Sequence, residues 1–283
     1  MRVVTRKQAE IAVRDHLHGL IGTEPFLVSS GYSAHFRDWK RGLLDGLRPD
    51  LIEPHFQKGS GGELSRPVPK LSAAYSSSAL CVNAFGPARE SPDWLDFKGL
   101  KGFTEFAFEG KLPTGLGGTP PNLDFVARSP NRVLAVESKF LETLEQTKPE
   151  FAPVYEAAFQ NCGCPRLLAA FTAVRSGSEP FAYLDVPQLL KHALGLINLP
   201  RREPLMTGKA LTLGFIFWEP TNRDELSPYD QLRFELARFS RLMNGGKIEF
   251  VSIDYPSLWE QWLQAPQTAS HASRLIERHS HPL

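Results

Sequence analysis

The sequence predicts an α/β protein of the mixed-sheet, α+β type, and three observations carry that prediction. Leu123 to Ala127 and Val133 to Val136 are apolar runs rich in β-branched residues, and Ser129, Pro130 and Asn131 between them are turn formers, so the two runs read as a hairpin. Just upstream the pattern has period two. Phe103, Glu105, Ala107 and Glu109 fall on one side and Thr104, Phe106 and Phe108 on the other, which makes a first strand. Further on, the apolar runs Ala210 to Trp218 and Lys247 to Ile253 are separated by helical patterns, so strands in succession give way to strands between helices.

The elements follow in order. Thr5 can cap a helix running to about Ile21, and Ser33 can cap a second in which Phe36, Trp39, Leu43 and Leu47 recur at near-helical spacing before Arg48 and Pro49. Residues 58–69 are rich in glycine, serine and proline and read as a flexible break. A helix from Leu71 to about Phe85 follows, ended by Gly86 and Pro87. The three predicted strands come next, the first two joined by the loop 110–121 with its four glycines and three prolines. That loop lacks the Gly-Lys-Ser/Thr ending of a phosphate-cradling Walker loop, so a shaped surface loop is the better reading. Beyond Lys139 the pattern gives a helix near Pro153 to Asn161, a segment Arg166 to Val174 readable as strand or helix, and a helix Asp185 to Leu196 with Asp185 as its cap. A helix from about Ser227 to Met243 separates the last two strands, with Asn244, Gly245 and Gly246 as its stop. Beyond Gln264 the chain is polar and reads as a short helix and tail.

Composition narrows the function classes. The chain has 283 residues, 42% of them hydrophobic and 11% aromatic, enough for a globular core, and no apolar run approaches a membrane span. The N-terminus lacks the apolar stretch of a secretory signal, and three cysteines without framework spacing point to reduced thiols, so the cytoplasm is the expected location. Cys162 and Cys164 have no second Cys or His pair nearby to make a metal site and read as core or helix-end residues. Lys plus Arg number 32 against 31 Asp plus Glu, so the chain has no global basic field. Local clusters remain: Arg37, Lys40 and Arg41; Lys98 and Lys101; Arg201 and Arg202; Arg274 and Arg278, each by itself readable as a solvated face.

The chemistry concentrates on the hairpin. Side chains alternate across a strand, so Glu137 and Lys139 project from one face at the end of the apolar run Val133 to Val136, and the preceding strand carries Asp124. A helix, three strands, helices, a strand, a helix and a strand, with acids on the second and third strands and a lysine two residues past the second acid, resemble the PD-(D/E)XK nuclease superfamily and its αβββαβ core. Residues 78–87, 120–124 and 188–192 further resemble a prokaryotic family of restriction-endonuclease-like proteins within it. The resemblance spans most of residues 70–255 and implies a restriction-endonuclease-like core over 71–264, with a helical extension at 1–70 and a polar tail at 265–283. It matches Asp124 to the motif aspartate, Glu137 to its second acid and Lys139 to its lysine; Leu123 stands where many members carry proline.

What the resemblance implies is a metal-dependent endodeoxyribonuclease acting on double-stranded DNA. Asp124 and Glu137 would share Mg²⁺, with Mn²⁺ a substitute, because this hard cation takes oxygen ligands and acidifies a bound water. Lys139 would orient that water and stabilise developing charge. The Ser138 carbonyl is a further expected ligand, and Glu109 is expected to complete the acidic cluster, with Glu105 on the same face as the alternative. Gln188, Lys191 and His192 form a polar stripe at i, i+3 and i+4 that faces either the site or DNA, His192 as a DNA contact or structural residue; Gly117 and Gly118 are expected to border the DNA channel. Cutting both strands would favour a homodimer. The competing reading is a catalytically inactive module of the same fold that binds nucleic acid or protein. An acid-pair glycosidase is weaker, since it leaves Lys139 without a role.

Overall fold

The computed structural model describes residues 4–29, 31–58, 62–117 and 120–283. Its centre is a five-stranded sheet in the order β1-β2-β3-β4-β5: β1 (Glu105–Lys111), β2 (Asn122–Arg128), β3 (Arg132–Lys139), β4 (Ala210–Phe217) and β5 (Ile248–Asp254). The first three strands are antiparallel neighbours, and β3, β4 and β5 run parallel. The β2–β3 connection is the tight turn expected at Ser129 to Asn131, where the Ser129 N–H donates to the Arg132 carbonyl at 2.9 Å. The parallel pairs need crossovers, and helices supply them. The result is a mixed sheet of the α+β class, consistent with a restriction-endonuclease-like core.

Helices cover both faces. On one side lie α1 (Arg6–Ile21), α2 (Pro49–Lys58), α3 (Ser77–Phe85), α8 (Tyr255–Leu263) and α9 (Pro266–His279), packed on Phe125, Ala127, Leu134, Val136 and Ile216. On the other lie α4 (Val154–Gln160), α5 (Pro165–Arg175), α6 (Val186–Arg202) and α7 (Ser227–Met243), packed on Val126, Val133, Ala135, Leu213 and Phe215. Strand β3 sends alternate residues into each layer and is buried on both faces, which is why Val133 to Val136 reads as an unbroken apolar run. Among the described residues no helix is long and apolar enough to cross a membrane.

Several local rules hold to the residue. Thr5 caps α1 through a reciprocal capping box with Gln8, and the Asp185 carboxylate accepts the Gln188 N–H to start α6. Other expectations need correction. Residues 33–47 do not form a helix; only a 3-10 turn at Trp39–Gly42 appears, capped by Asp38. Phe36, Trp39 and Leu43 are buried as their spacing implies, but backbone groups find distant partners: the Phe36 N–H donates to the Ser72 carbonyl at 2.8 Å and the Leu44 N–H to Asn83 Oδ1 at 2.8 Å. The same pairing delays the next helix, because the Ala74 N–H donates to the Ala34 carbonyl, so α3 starts at Ser77 under a Ser76 cap and not at Leu71. Residues 166–174, left open between strand and helix, are helical within α5.

The two ends of the chain are integral to the packing. Val13, Leu17 and Phe56 from the N-terminal 70 residues share a core with Phe85 and Phe125. The polar-looking C-terminal segment contains α9, whose His271, Ala272, Leu275 and His279 are buried, followed by buried His281 and Leu283. It is not a free tail: the Trp218 indole N–H donates to the His279 carbonyl at 2.8 Å, and His271 Nε2 lies 2.7 Å from the Asn83 carbonyl. The sequence hid this because an amphipathic helix whose buried stripe includes histidines looks polar when counted by composition.

Candidate functional site

The hairpin register makes the site. Phe125 pairs with Val136 and Phe108 with Phe125, so Asp124 lies across from Glu137 on one side and from Glu109 on the other. Glu137 and Lys139 project from the β3 face that carries Val133 and Ala135, towards α6. Lys139 Nζ donates to Glu137 Oε1 at 2.6 Å and to Gln188 Oε1 at 2.8 Å. His192, one turn past Gln188 on α6, is wholly buried with Nε2 at 3.0 Å from Glu137 Oε2, outside good hydrogen-bond alignment, while its Nδ1 meets no partner. Glu137 therefore has a cationic or imidazole nitrogen against each oxygen. The Ser138 N–H donates to Asp124 Oδ2 at 2.7 Å, and because N–H and C=O of one strand residue point the same way, the Ser138 carbonyl also faces the β2 side.

The electrostatics separate the three acids. Burial pushes the Asp124 carboxyl well above its ordinary range, and the neighbouring Glu137 carboxylate adds to the rise. Burial acts upward on Glu137 too, but Lys139 and His192 outweigh it and hold that carboxyl down at about 2. Burial and Glu63 push Glu109 up to about 7, against an Asn122 Nδ2 donor at 2.8 Å. Lys139 stays charged: burial works against the ammonium, and Glu137, Glu142 and Asp124 prevail, raising its pKa. One acid is thus fully compensated and two only in part, and an under-compensated carboxyl beside a carboxylate is the situation a cation relieves.

The donor set is all oxygen: the Asp124 and Glu137 carboxylates and the Ser138 carbonyl. Among the described residues no three His, Cys, Asp or Glu side chains converge closely enough to form a metal cage. Two carboxylates and a carbonyl suit a hard cation that keeps several waters, such as Mg²⁺, and not a closed structural site. Glu109 belongs to the same acidic field without joining such a cage. Its backbone takes a left-handed φ of 51°, unusual for a residue with a side chain.

The remaining expectations divide. Gln188 is brought onto Lys139. His192 braces Glu137 from inside the core, so its reading as a DNA contact is corrected: nothing in solvent reaches a side chain that is 0% exposed. Lys191 turns away to lie over the Tyr155 and Phe151 rings, 5.2 and 5.9 Å from their centroids. Glu105 pairs with Arg128 at the far end of β1 and is exposed, so the alternative of Glu105 completing the acidic cluster falls away; four residues of strand put it ~13 Å from Glu109. Gly117 has open space around it and no positive φ, so its backbone does not require glycine, whereas Gly115 has φ 87°. Gly118 lies outside the described residues. Sequence reasoning missed Glu142, which accepts the Phe140 N–H at 2.7 Å just past Lys139, and Tyr255, whose hydroxyl lies 2.8 Å from Ser138 Oγ. Tyr255 carries no local signal, being 117 residues away in sequence.

No curated protein and no solved structure matches the chain. The family described as "Restriction Endonuclease associating with ARP" matches residues 45–280, which include all five strands, the Asp124–Glu137–Lys139 constellation and its supports on α6. By that match the chain belongs to this restriction-endonuclease family.

Proposed function

We propose that the protein is a Mg²⁺-dependent endodeoxyribonuclease of PD-(D/E)XK type that hydrolyses phosphodiester bonds in double-stranded DNA, with Mn²⁺ as a substitute cation. The observation that carries this reading is the convergence of Asp124, Glu137 and Lys139 at the open end of the β2–β3 hairpin, with Gln188 and His192 behind them. Asp124, Glu137 and the Ser138 carbonyl would hold the cation. When bound, it supplies a Lewis acid for the phosphate and lowers the pKa of the attacking water.

The chain's own residues do the rest. Lys139 is fixed by two acceptors, leaving its remaining N–H to orient the nucleophilic water and to meet charge growing on the phosphate oxygens. Its raised pKa suits it to that electrostatic role and not to proton abstraction. His192 and Gln188 set the rotamers of Glu137 and Lys139, so the site is organised before DNA arrives. Glu109 extends the acidic field beside Asp124. In this reading the protein works in the cytoplasm, where its three buried thiols, Cys81, Cys162 and Cys164, stay reduced, and a symmetric pair of chains would cut the two strands of a duplex.

The test is incubation of purified protein with supercoiled plasmids of several sequences and modification states. Nicked or linear product with Mg²⁺ that vanishes with EDTA supports the nuclease. Unchanged plasmid under every condition, with DNA or a protein partner still bound, would favour the inactive binding module.

A further inference from the structure

Two basic clusters that look like solvated faces in the sequence meet in space. Arg274 and Arg278, one turn apart on α9, face the 3-10 turn that carries Lys40 and Arg41, and with the last turn of α1 they line a concave pocket of about 400 Å³. The same pocket holds only two acids, Asp45 and Glu277. Among the described residues neither Arg41, Arg274 nor Arg278 has a carboxylate within ion-pair distance, and Lys40 reaches only Glu53, at 3.8 Å. The two α9 arginines are instead fixed by neutral groups. Arg274 Nη1 donates to the Asp45 carbonyl at 2.5 Å and Arg278 Nη2 to the Gly42 carbonyl at 3.1 Å, while Arg274 Nε is buried without a partner. Burial pulls the Arg278 pKa down to about 10, and the Asp45 carboxylate, beyond ion-pair distance, offsets it only in part. A cation in that position is costly until an anion joins it.

The opposite wall is apolar. Leu17, Leu20, Ile21 and Leu43 line it, and Leu20 and Ile21 are still 43% and 40% exposed. The volume falls in the range of small-molecule sites, and the accessible lining is more polar than apolar, as suits a charged ligand with a smaller apolar part. A DNA backbone would have no use for that wall. The pocket also lies in the α1/α9 layer, behind α3, on the opposite side of the sheet from the α6 face to which Glu137 and Lys139 point. We propose that this pocket binds a small phosphorylated ligand, its phosphate held by Arg274 and Arg278 with Lys40 and Arg41 at the rim, and its apolar or aromatic body against Leu17, Leu20 and Ile21. A phosphate fits better than a carboxylate because four cations face two acids, and guanidinium forks match phosphate oxygens in pairs.

The experiment is calorimetric titration of the full chain with inorganic phosphate and with adenosine monophosphate, alongside thermal melts. Adenosine monophosphate should bind at least about tenfold more tightly than inorganic phosphate, since its body adds apolar contact, and should raise Tm by about 3 °C at ten times Kd. Arg41→Gln, a surface change that leaves the fold intact, should weaken binding about threefold or more, and Arg41→Gln with Arg274→Gln about tenfold or more. Absence of heat and of a Tm shift with both probes at about 10 mM would overturn the proposal, as would equal affinity in wild type and Arg41→Gln. A third outcome also overturns it: adenosine monophosphate fails to bind while duplex DNA affinity falls in Arg41→Gln with a shallower salt slope, which makes these cations part of a DNA backbone track.

Discussion

The acids and the lysine of the hairpin are held so differently that their loss should be separable. Asp124 keeps one oxygen on the Ser138 N–H, and that bond and the Lys139 charge only partly offset its burial and the Glu137 carboxylate, so Asp124→Ala should abolish both Mg²⁺ binding and cleavage. Lys139 touches the site through Glu137 and Gln188. Lys139→Ala should therefore leave metal binding near wild type while the single-turnover rate drops about 10²–10³-fold, as when a preorganised electrostatic group is lost. Calorimetric metal titration and a single-turnover assay on both variants read the contrast. Wild-type metal affinity and cleavage in Asp124→Ala would remove the hairpin from the chemistry.

Helix α6 is the element that brings Gln188 and His192 onto the charged end of β3, and its position depends on a glycine. A Cβ at Gly195 would come within 2.4 Å of the Leu112 carbonyl oxygen, which is backbone and cannot swing away. Gly195→Ala should push α6 off the β1–β2 connection, costing about 1–3 kcal/mol of stability. It should also slow cleavage more than this stability loss explains at temperatures where the variant stays folded, because Gln188 and His192 ride on the same helix. Denaturant melts and cleavage rates on one preparation test this; wild-type stability in Gly195→Ala would mean the contact relaxes without moving α6.

At the scale of the molecule, the C-terminal helix is fastened by imidazoles that must stay neutral. Burial pushes His271 down to about 4, His281 down to about 4, and His279 well below the ordinary value. Arg274, Arg278 and His16 are the charged or titratable groups around them. A histidine kept neutral by the fold takes its proton more readily in the unfolded chain, so stability is lost as pH falls from 6.5 towards about 4. Each could contribute at most about 3 kcal/mol across that window. Glu109, raised to about 7, acts in the opposite direction, adding stability to the metal-free protein as pH falls from 7 towards 4.5. His271→Gln can keep the donor to the Asn83 carbonyl while removing one titration, so its unfolding free energy should fall less steeply between pH 6.5 and 4 than that of the wild type. Identical pH profiles would show that His271 takes no part in the acid transition.

The hairpin, its turn and the order Asp124, Glu137, Lys139 are legible in the sequence because each rests on neighbours in the chain: β-branched runs, a Ser-Pro-Asn turn and the two-residue alternation of a strand. The same holds for the caps at Thr5 and Asp185, which act on N–H groups three residues away. Tertiary structure alone decided which polar residues of α6 reach Glu137 and Lys139. Spacing puts Gln188, Lys191 and His192 on one stripe, but packing sends Gln188 and His192 inward and Lys191 onto aromatic rings. It also decided that residues 33–47 satisfy their backbone across the chain and not in a helix, that the histidine-rich end is core, and that Lys40 and Arg41 face Arg274 and Arg278. The physical reason is range: periodicity and capping act over a few residues, whereas burial and pairing between distant segments depend on where the whole chain lies.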